Sequence, residues 1–357
     1  MRTWSMVHSP KERLAQRQLG ERLALRSQWR LVACVSILRT AVTGVLPLAG
    51  AAAWWVTLAC LLPGLLLYAI ACLGLRMTNT ANLPDCLRKL LGQAGAWVIC
   101  LMVAAALVLD SLCSMTVLIT FFTQGIGSAG QQWTLAAVAA GMLLFCLNRE
   151  GLARGCYFLR WLMLALTGIV LLGLIGMGRV DHLAPWLGDG QPGIAAAIRA
   201  GIGMGWVFVL PLMEPPVQVR HMAAPAAPAL LCVAAVGCIN LALPHELLVT
   251  HAALADSVVQ TVAYQVPAVR LAAICLWMLG LFLCLGSTAS LGAKYVLAPT
   301  GRELVWLPGV IVVIAAALQA TDIFALWQGL KAVAPWLLLP LTAGAVLSLL
   351  ARWRRRA

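Results

Sequence analysis

Acidic side chains are scarce in this chain: Asp and Glu total 12 of 357 residues, against 25 Lys and Arg. Charged residues of both signs make up 10%, where a soluble domain carries about 25%. That excludes a water-soluble globular protein. With 62% hydrophobic residues and a mean hydropathy of +0.93, the chain reads as integral to a membrane. Catalytic signatures are missing too. There is no GxSxG, no Walker loop, no HExxH and no run of clustered metal ligands, so nothing points to an enzyme and no cofactor is expected. His stands beside a carboxylate in sequence only at Asp181-His182 and His245-Glu246, both at expected membrane edges. The 12 cysteines include no CxxC pair and read as small buried hydrophobes rather than disulfides or a metal site. No apolar core or small-residue cleavage site occupies the first thirty residues, so no signal peptide is expected.

What the chain has in abundance is apolar sequence. Ten stretches are suitable for crossing a bilayer: about 31–49, 52–75, 93–124, 132–147, 156–177, 194–213, 228–249, 266–290, 304–319 and 333–351. Each crossing needs roughly 20 residues. The expected architecture is an all-α integral membrane protein of about ten transmembrane helices. A basic arm over 1–30 would precede a membrane domain over 31–351, followed by a basic tail over 352–357. If the N-terminus is cytoplasmic, 20 of the 25 basic residues fall on the cytoplasmic side. The positive-inside rule then puts both termini in the cytoplasm, and an even span count agrees. The net charge of +13 is therefore a topology signal, aided by anionic headgroups, and not a sign of nucleic-acid binding.

Two spans are interrupted. The first carries Arg39, Thr40, Thr43, Gly44 and Pro47. The sixth carries Gly201, Gly203 and Gly205 and runs into Pro211, Glu214, Pro215 and Pro216. Gly and Pro are common in membrane helices. Two interrupted segments at matching places in two halves, however, point to a binding site at the membrane midplane. Between spans two and three, Leu87, Leu90 and Leu91 share a helical face with Arg88 and Lys89 opposite, which predicts a short interfacial helix. Residues 178–193 are rich in Gly and Pro and read as a loop, with Trp186 suited to the membrane–water boundary.

Three motifs carry a more specific likeness: Asn148-Arg-Glu-Gly-Leu-Ala-Arg154, His182-Leu-Ala-Pro-Trp-Leu-Gly-Asp-Gly190 and Ile198-Arg-Ala-Gly-Ile-Gly-Met-Gly-Trp206. Together they resemble the spore germination permease family, the membrane B subunits of germinant receptors within the amino acid–polyamine–organocation superfamily. The likeness covers most of residues 30–350 and is strongest over 76–216. It implies a five-plus-five inverted repeat of the leucine-transporter type with broken first and sixth spans. It also implies a nutrient-sensing role in the spore inner membrane, a small ligand such as an amino acid, and two partner subunits, a larger membrane protein and a lipoprotein. The chain departs from the family in places. Trp206 follows Gly205 where an acidic residue is usual, Ala51 to Trp55 is wholly apolar, and Asp110 stands near a customary Arg.

Arg39 and Asp110 lie near the middle of spans one and three and are predicted to form an ion pair, because ionisable residues at that depth face the bundle interior and pair. Either Arg39 alternates between Asp110 and a substrate carboxylate, for which its fork is suited, or the pair is static and fixes helix register. Gly201, Gly203, Gly205, Thr40, Thr43 and Gly44 either free backbone groups for a small zwitterion or allow close helix packing. Trp206 and Phe208 are wall or lid residues, or packing. Glu214 and Arg160 are candidates for gating or proton coupling, and the hydroxyls of Gly286-Ser-Thr-Ala-Ser290 resemble a sodium-site position in sodium-coupled relatives. Three functions stay open: a nutrient-sensing receptor subunit, a proton-coupled amino acid transporter, and a membrane scaffold that binds no ligand.

Overall fold

The computed structural model describes residues 10–80, 82–125, 149–188, 190–213, 224–243 and 267–296, together with 306, 307 and 310. The expected fourth and tenth spans, nearly all of the ninth, Asn148, Glu214, His245 and Glu246 lie outside the described residues. All regular structure among those described is helical. Five stretches are long and apolar enough to cross a membrane: Leu23–Thr78, Leu83–Met115, Gly151–Met177, Gln191–Met213 and Pro267–Tyr295.

The first of these is 56 residues long. As one straight helix it would run about 84 Å, far beyond the roughly 30 Å of a hydrocarbon core. It is in fact divided. Helix α1 (Pro10–Thr40) passes into a π-helical turn at Ala41–Val45, then a single α-turn, α2 (Leu46–Ala49), then a 3-10 turn at Gly50–Ala52, and only then α3 (Ala53–Thr78). Gly50 (φ 52°, ψ −125°) makes the break that separates the two crossings. Asn240 secures it, its side-chain amide donating to the carbonyls of Gly50 at 3.3 Å and Ala51 at 3.1 Å. Helix α1 begins well upstream of the expected span. It continues without a break through residue 30, with Gln28 and Trp29 buried.

Asn79, left-handed at φ 51°, closes α3 by donating its N–H to Leu75 O. The Asn82 side chain then accepts the Asp85 N–H at 2.8 Å and caps the next helix, α4 (Leu83–Gly125). Non-helical Gly92 (φ 77°) splits α4 into an amphipathic first segment and a spanning second one. In the first segment Leu83, Cys86 and Leu87 are buried while Arg88 and Lys89 are exposed.

The remaining elements are α5 (Arg149–Met177), a loop with a 3-10 turn at Val180–Leu183, α6 (Gln191–Gly201), a 3-10 segment at Met204–Val209, α7 (Leu210–Met213), α8 (Ala226–Ala242) and α9 (Pro267–Val296). The interruption expected near Gly201, Gly203 and Gly205 is therefore a switch from α- to 3-10-helix. Helix α9 lies at the centre of one group, packed against α1, α4 and α5, while α3 packs against α8 and the 3-10 segment of span six. Ile37, Leu46, Leu61, Leu107, Leu210 and Leu212 are all but sealed from solvent in the interior. The outward face of α5, by contrast, exposes Phe158, Trp161 and Leu172, as a lipid-facing helix does.

Candidate functional site

Polar side chains recur on one face of α1 at Gln28, Ser36 and Arg39, a helical spacing that sets them in a stripe, with Thr43 following in the π-turn. Facing Arg39 across the α1–α4 contact is Asp110. The two form an ion pair through Arg39 Nη2 and Asp110 Oδ1, with only 6% and 7% of each residue exposed. Arg39 Nη1 also donates to the Asp110 main-chain oxygen at 3.1 Å and to Ser114 Oγ. Ser36 donates to Asp110 Oδ1 at 3.2 Å, and the Cys284 thiol of α9 reaches Oδ2 at 3.6 Å. The charge pair is thus enclosed by donors from three helices, as buried charges require.

The seam continues along α9. Ser111 and Thr288 share a hydroxyl–hydroxyl bond of 2.7 Å, and Gln28 Nε2 donates to Ser287 Oγ at 3.0 Å. The Gly286–Ser290 hydroxyls noted in the sequence therefore bond α1 and α4 through Ser287 and Thr288. Ser36, Ser114 and Cys284 were not singled out by sequence. Their signal was the i, i+3 and i, i+4 spacing to Arg39, Asp110 and Thr288.

Arg39 lies two residues before the π-turn, and that turn meets the break in span six. A Cβ added to Gly201 would stand 2.7 Å from Val45 Cγ2 and 2.9 Å from Cys60 Sγ. Gly205 lies against Gly64 of α3 so closely that a Cβ on Gly64 would be 2.3 Å from Gly205 O. Pro63 stands just before Gly64 in α3. Gly201 and Gly205 thus serve close packing here, and Gly44 and Gly203 are buried beside them. Thr40 and Thr43 donate back to Ser36 O at 3.0 Å and Arg39 O at 2.7 Å, back-bonds of the kind that loosen and bend a helix, here where α1 gives way to the π-turn. Trp206 and Phe208 are buried in the main apolar core. Arg160 stands apart from the charge pair. Its guanidinium carbon lies 3.9 Å from the Tyr157 ring centroid and 4.9 Å from that of Trp161, and its buried Nε has no hydrogen-bond partner among the described residues.

No family model matches the chain, and no curated protein matches it. Among solved structures, a crystal structure of a mutant Eremococcus coleocola manganese transporter aligns with a TM-score of 0.52 at 15% identity, over 92% of this chain and 78% of that one. This chain shares a membrane-transporter fold. A second structure of that transporter, bound to an aromatic bis-isothiourea substituted compound, gives a TM-score of 0.49 at 16% identity, over 97% and 81% of the two chains. Five helices long and apolar enough to cross a membrane agree with the fold of the first of these structures. The germination permease resemblance rests on the sequence motifs alone.

Proposed function

We propose that this protein is a permease-like membrane protein that binds a small solute bearing a carboxylate, an amino acid in the first instance, with Arg39 as the carboxylate-binding group. The observation that carries this reading is the buried Arg39–Asp110 pair beside the junction of the two broken spans. A solute carboxylate entering at the junction competes with Asp110 for the Arg39 fork, and Ser36 and Cys284 remain to satisfy Asp110 when it is displaced. Binding that favours one arrangement of the broken helices shifts the bundle toward it. The ten-span, five-plus-five arrangement belongs to this reading.

The manganese carried by the structural neighbour fits these residues less well. A hard divalent cation needs several oxygen or nitrogen ligands. The buried carboxylate here is already neutralised by Arg39, and no group of three or more His, Cys, Asp and Glu stands together among the described residues.

The motifs over 148–206 favour a narrower second reading: a germinant-receptor subunit, in which binding is the output and flux is small. Thermal stabilisation of the purified protein against amino acids, nucleosides and sugars tests ligand binding. One solute class should raise the unfolding temperature of the parent and leave Arg39→Ala unshifted. Uptake of that solute into proteoliposomes then separates transport from sensing. No shift with any solute, in a well-folded sample, would overturn both readings in favour of a scaffold.

A further inference from the structure

A cavity of about 180 Å³ lies against a face of α1 adjacent to the one that carries the charge pair, between α1, α5, α8 and α9. Leu38 of α1, Val42 of the π-turn, Thr167 and Leu174 of α5, Ala235 of α8 and Trp277 of α9 are among its walls, which are almost wholly apolar. Thr167, the one hydroxyl in the wall, is already committed to Met163 O at 2.7 Å. The other polar atoms of the wall residues are the Cys34 and Cys232 thiols and the Trp277 indole N–H, so the space offers water few partners and favours an apolar guest. Leu164, half-exposed on α5, lines it as well, so the space reaches the lipid-facing side of that helix.

The cavity-lining residues of α5 (Met163, Leu164, Thr167, Val170, Leu171 and Leu174) repeat at helical spacing. Arg160 belongs to the same stripe, four residues before Leu164 and so about one turn beyond the mouth. Its guanidinium is held over the Tyr157 and Trp161 rings, and its Nε donor is unpartnered among the described residues. We propose that this is a phospholipid site, with one acyl chain in the cavity between α1 and α5 and the phosphate on the Arg160 guanidinium. A bilayer phospholipid is the occupant because it joins the two chemistries found one turn apart, an apolar slot entered sideways from the lipid and a positioned cation at its end. The acyl chain then lies against the helix that carries Arg39, and its presence holds α1 in the position seen here.

The test uses phosphatidylglycerol with a photoactivatable diazirine in one acyl chain, reconstituted with the full-length protein and mapped by peptide mass spectrometry. Adducts are expected on cavity residues such as Leu38, Cys34 and Cys232, in addition to ordinary annular adducts on Phe158 and Leu172. Ala235→Trp, or Ala273→Phe should that variant fold poorly, fills the cavity and should remove the interior adducts by at least about tenfold while sparing the annular ones. Arg160→Gln should lower the interior adducts several-fold at equal lipid. Adducts confined to the outer face of α5, or interior adducts unchanged by the filling variants, overturn the acyl-chain site. Interior adducts indifferent to Arg160→Gln overturn the phosphate contact.

Discussion

Removing Asp110 isolates the central electrostatic argument. In Asp110→Ala the guanidinium of Arg39 stays buried but loses its ion pair. Ser36 and Cys284 lose the carboxylate they donate to. What survives is the Arg39 bond to the residue-110 main-chain oxygen at 3.1 Å and the contact with Ser114 Oγ. Breaking a buried pair from one side costs about 3–5 kcal/mol, and the surviving acceptors place this variant near the lower end. Arg39→Ala belongs at the upper end, because it leaves a buried carboxylate with only a hydroxyl at 3.2 Å and a thiol at 3.6 Å. The double alanine variant leaves no orphan charge, so its cost should fall short of the sum of the singles by at least about 2 kcal/mol. Equilibrium unfolding in mixed micelles, followed by far-ultraviolet circular dichroism, gives all four corners of the cycle. Additivity within about 0.5 kcal/mol would refute the claim that the two residues act as a unit.

Other expectations come from separate parts of the fold. Gly64→Ala should destabilise by about 3 kcal/mol, since its Cβ would meet the Gly205 backbone 2.3 Å away. Gly155→Ala, with no heavy atom within 4 Å of its Cβ, should be neutral or stabilise by up to about 1 kcal/mol in the same unfolding assay. Asn240→Ala should cost about 1–3 kcal/mol by removing two hydrogen bonds to the Gly50 and Ala51 carbonyls, and hydrogen exchange should rise at residues 50–53 before the rest of the bundle. Arg39→Lys keeps the charge but loses the fork, so calorimetry should show solute affinity falling about tenfold or more while the protein still folds.

The membrane class, the two interruptions and the partnership of Arg39 with Asp110 were all legible in sequence, for one reason. A bilayer makes unpaired charge and unpaired backbone so costly that Arg, Asp, Gly and Pro inside an apolar run have few possible meanings. Other features were less legible because they depend on neighbours that are distant in sequence. Nothing local marks Gly64 as the surface on which Gly205 rests, and the spacing of Cys284 to Thr288 does not name Asp110 as its acceptor. The form of the first break was also hidden. Thr40, Thr43, Gly44 and Pro47 announce an irregular helix, but they do not announce a π-turn followed by a 3-10 turn whose carbonyls are bonded by Asn240 from α8. Gly201 and Gly205 show how one residue pattern supports two readings, since a glycine that frees backbone for a ligand and one that admits a neighbouring helix look alike in sequence.

The loop over 178–188 ties the two broken spans to each other. Trp186 stands edge-on to Trp54 with ring centroids 6.2 Å apart and accepts the Trp55 indole N–H at 3.1 Å. Gly188, at φ 53°, lies so close to Ala49 that a Cβ there would be 2.3 Å from the Ala49 oxygen. Three residues later the chain enters α6. The end of span one, the start of span two and the near half of span six are therefore fastened by a short strap and form one mechanical body. Any opening that swings one of these segments carries the others with it, and the bending is left to the π-turn at Ala41–Val45 and the turn at Ile202–Gly203, where they adjoin.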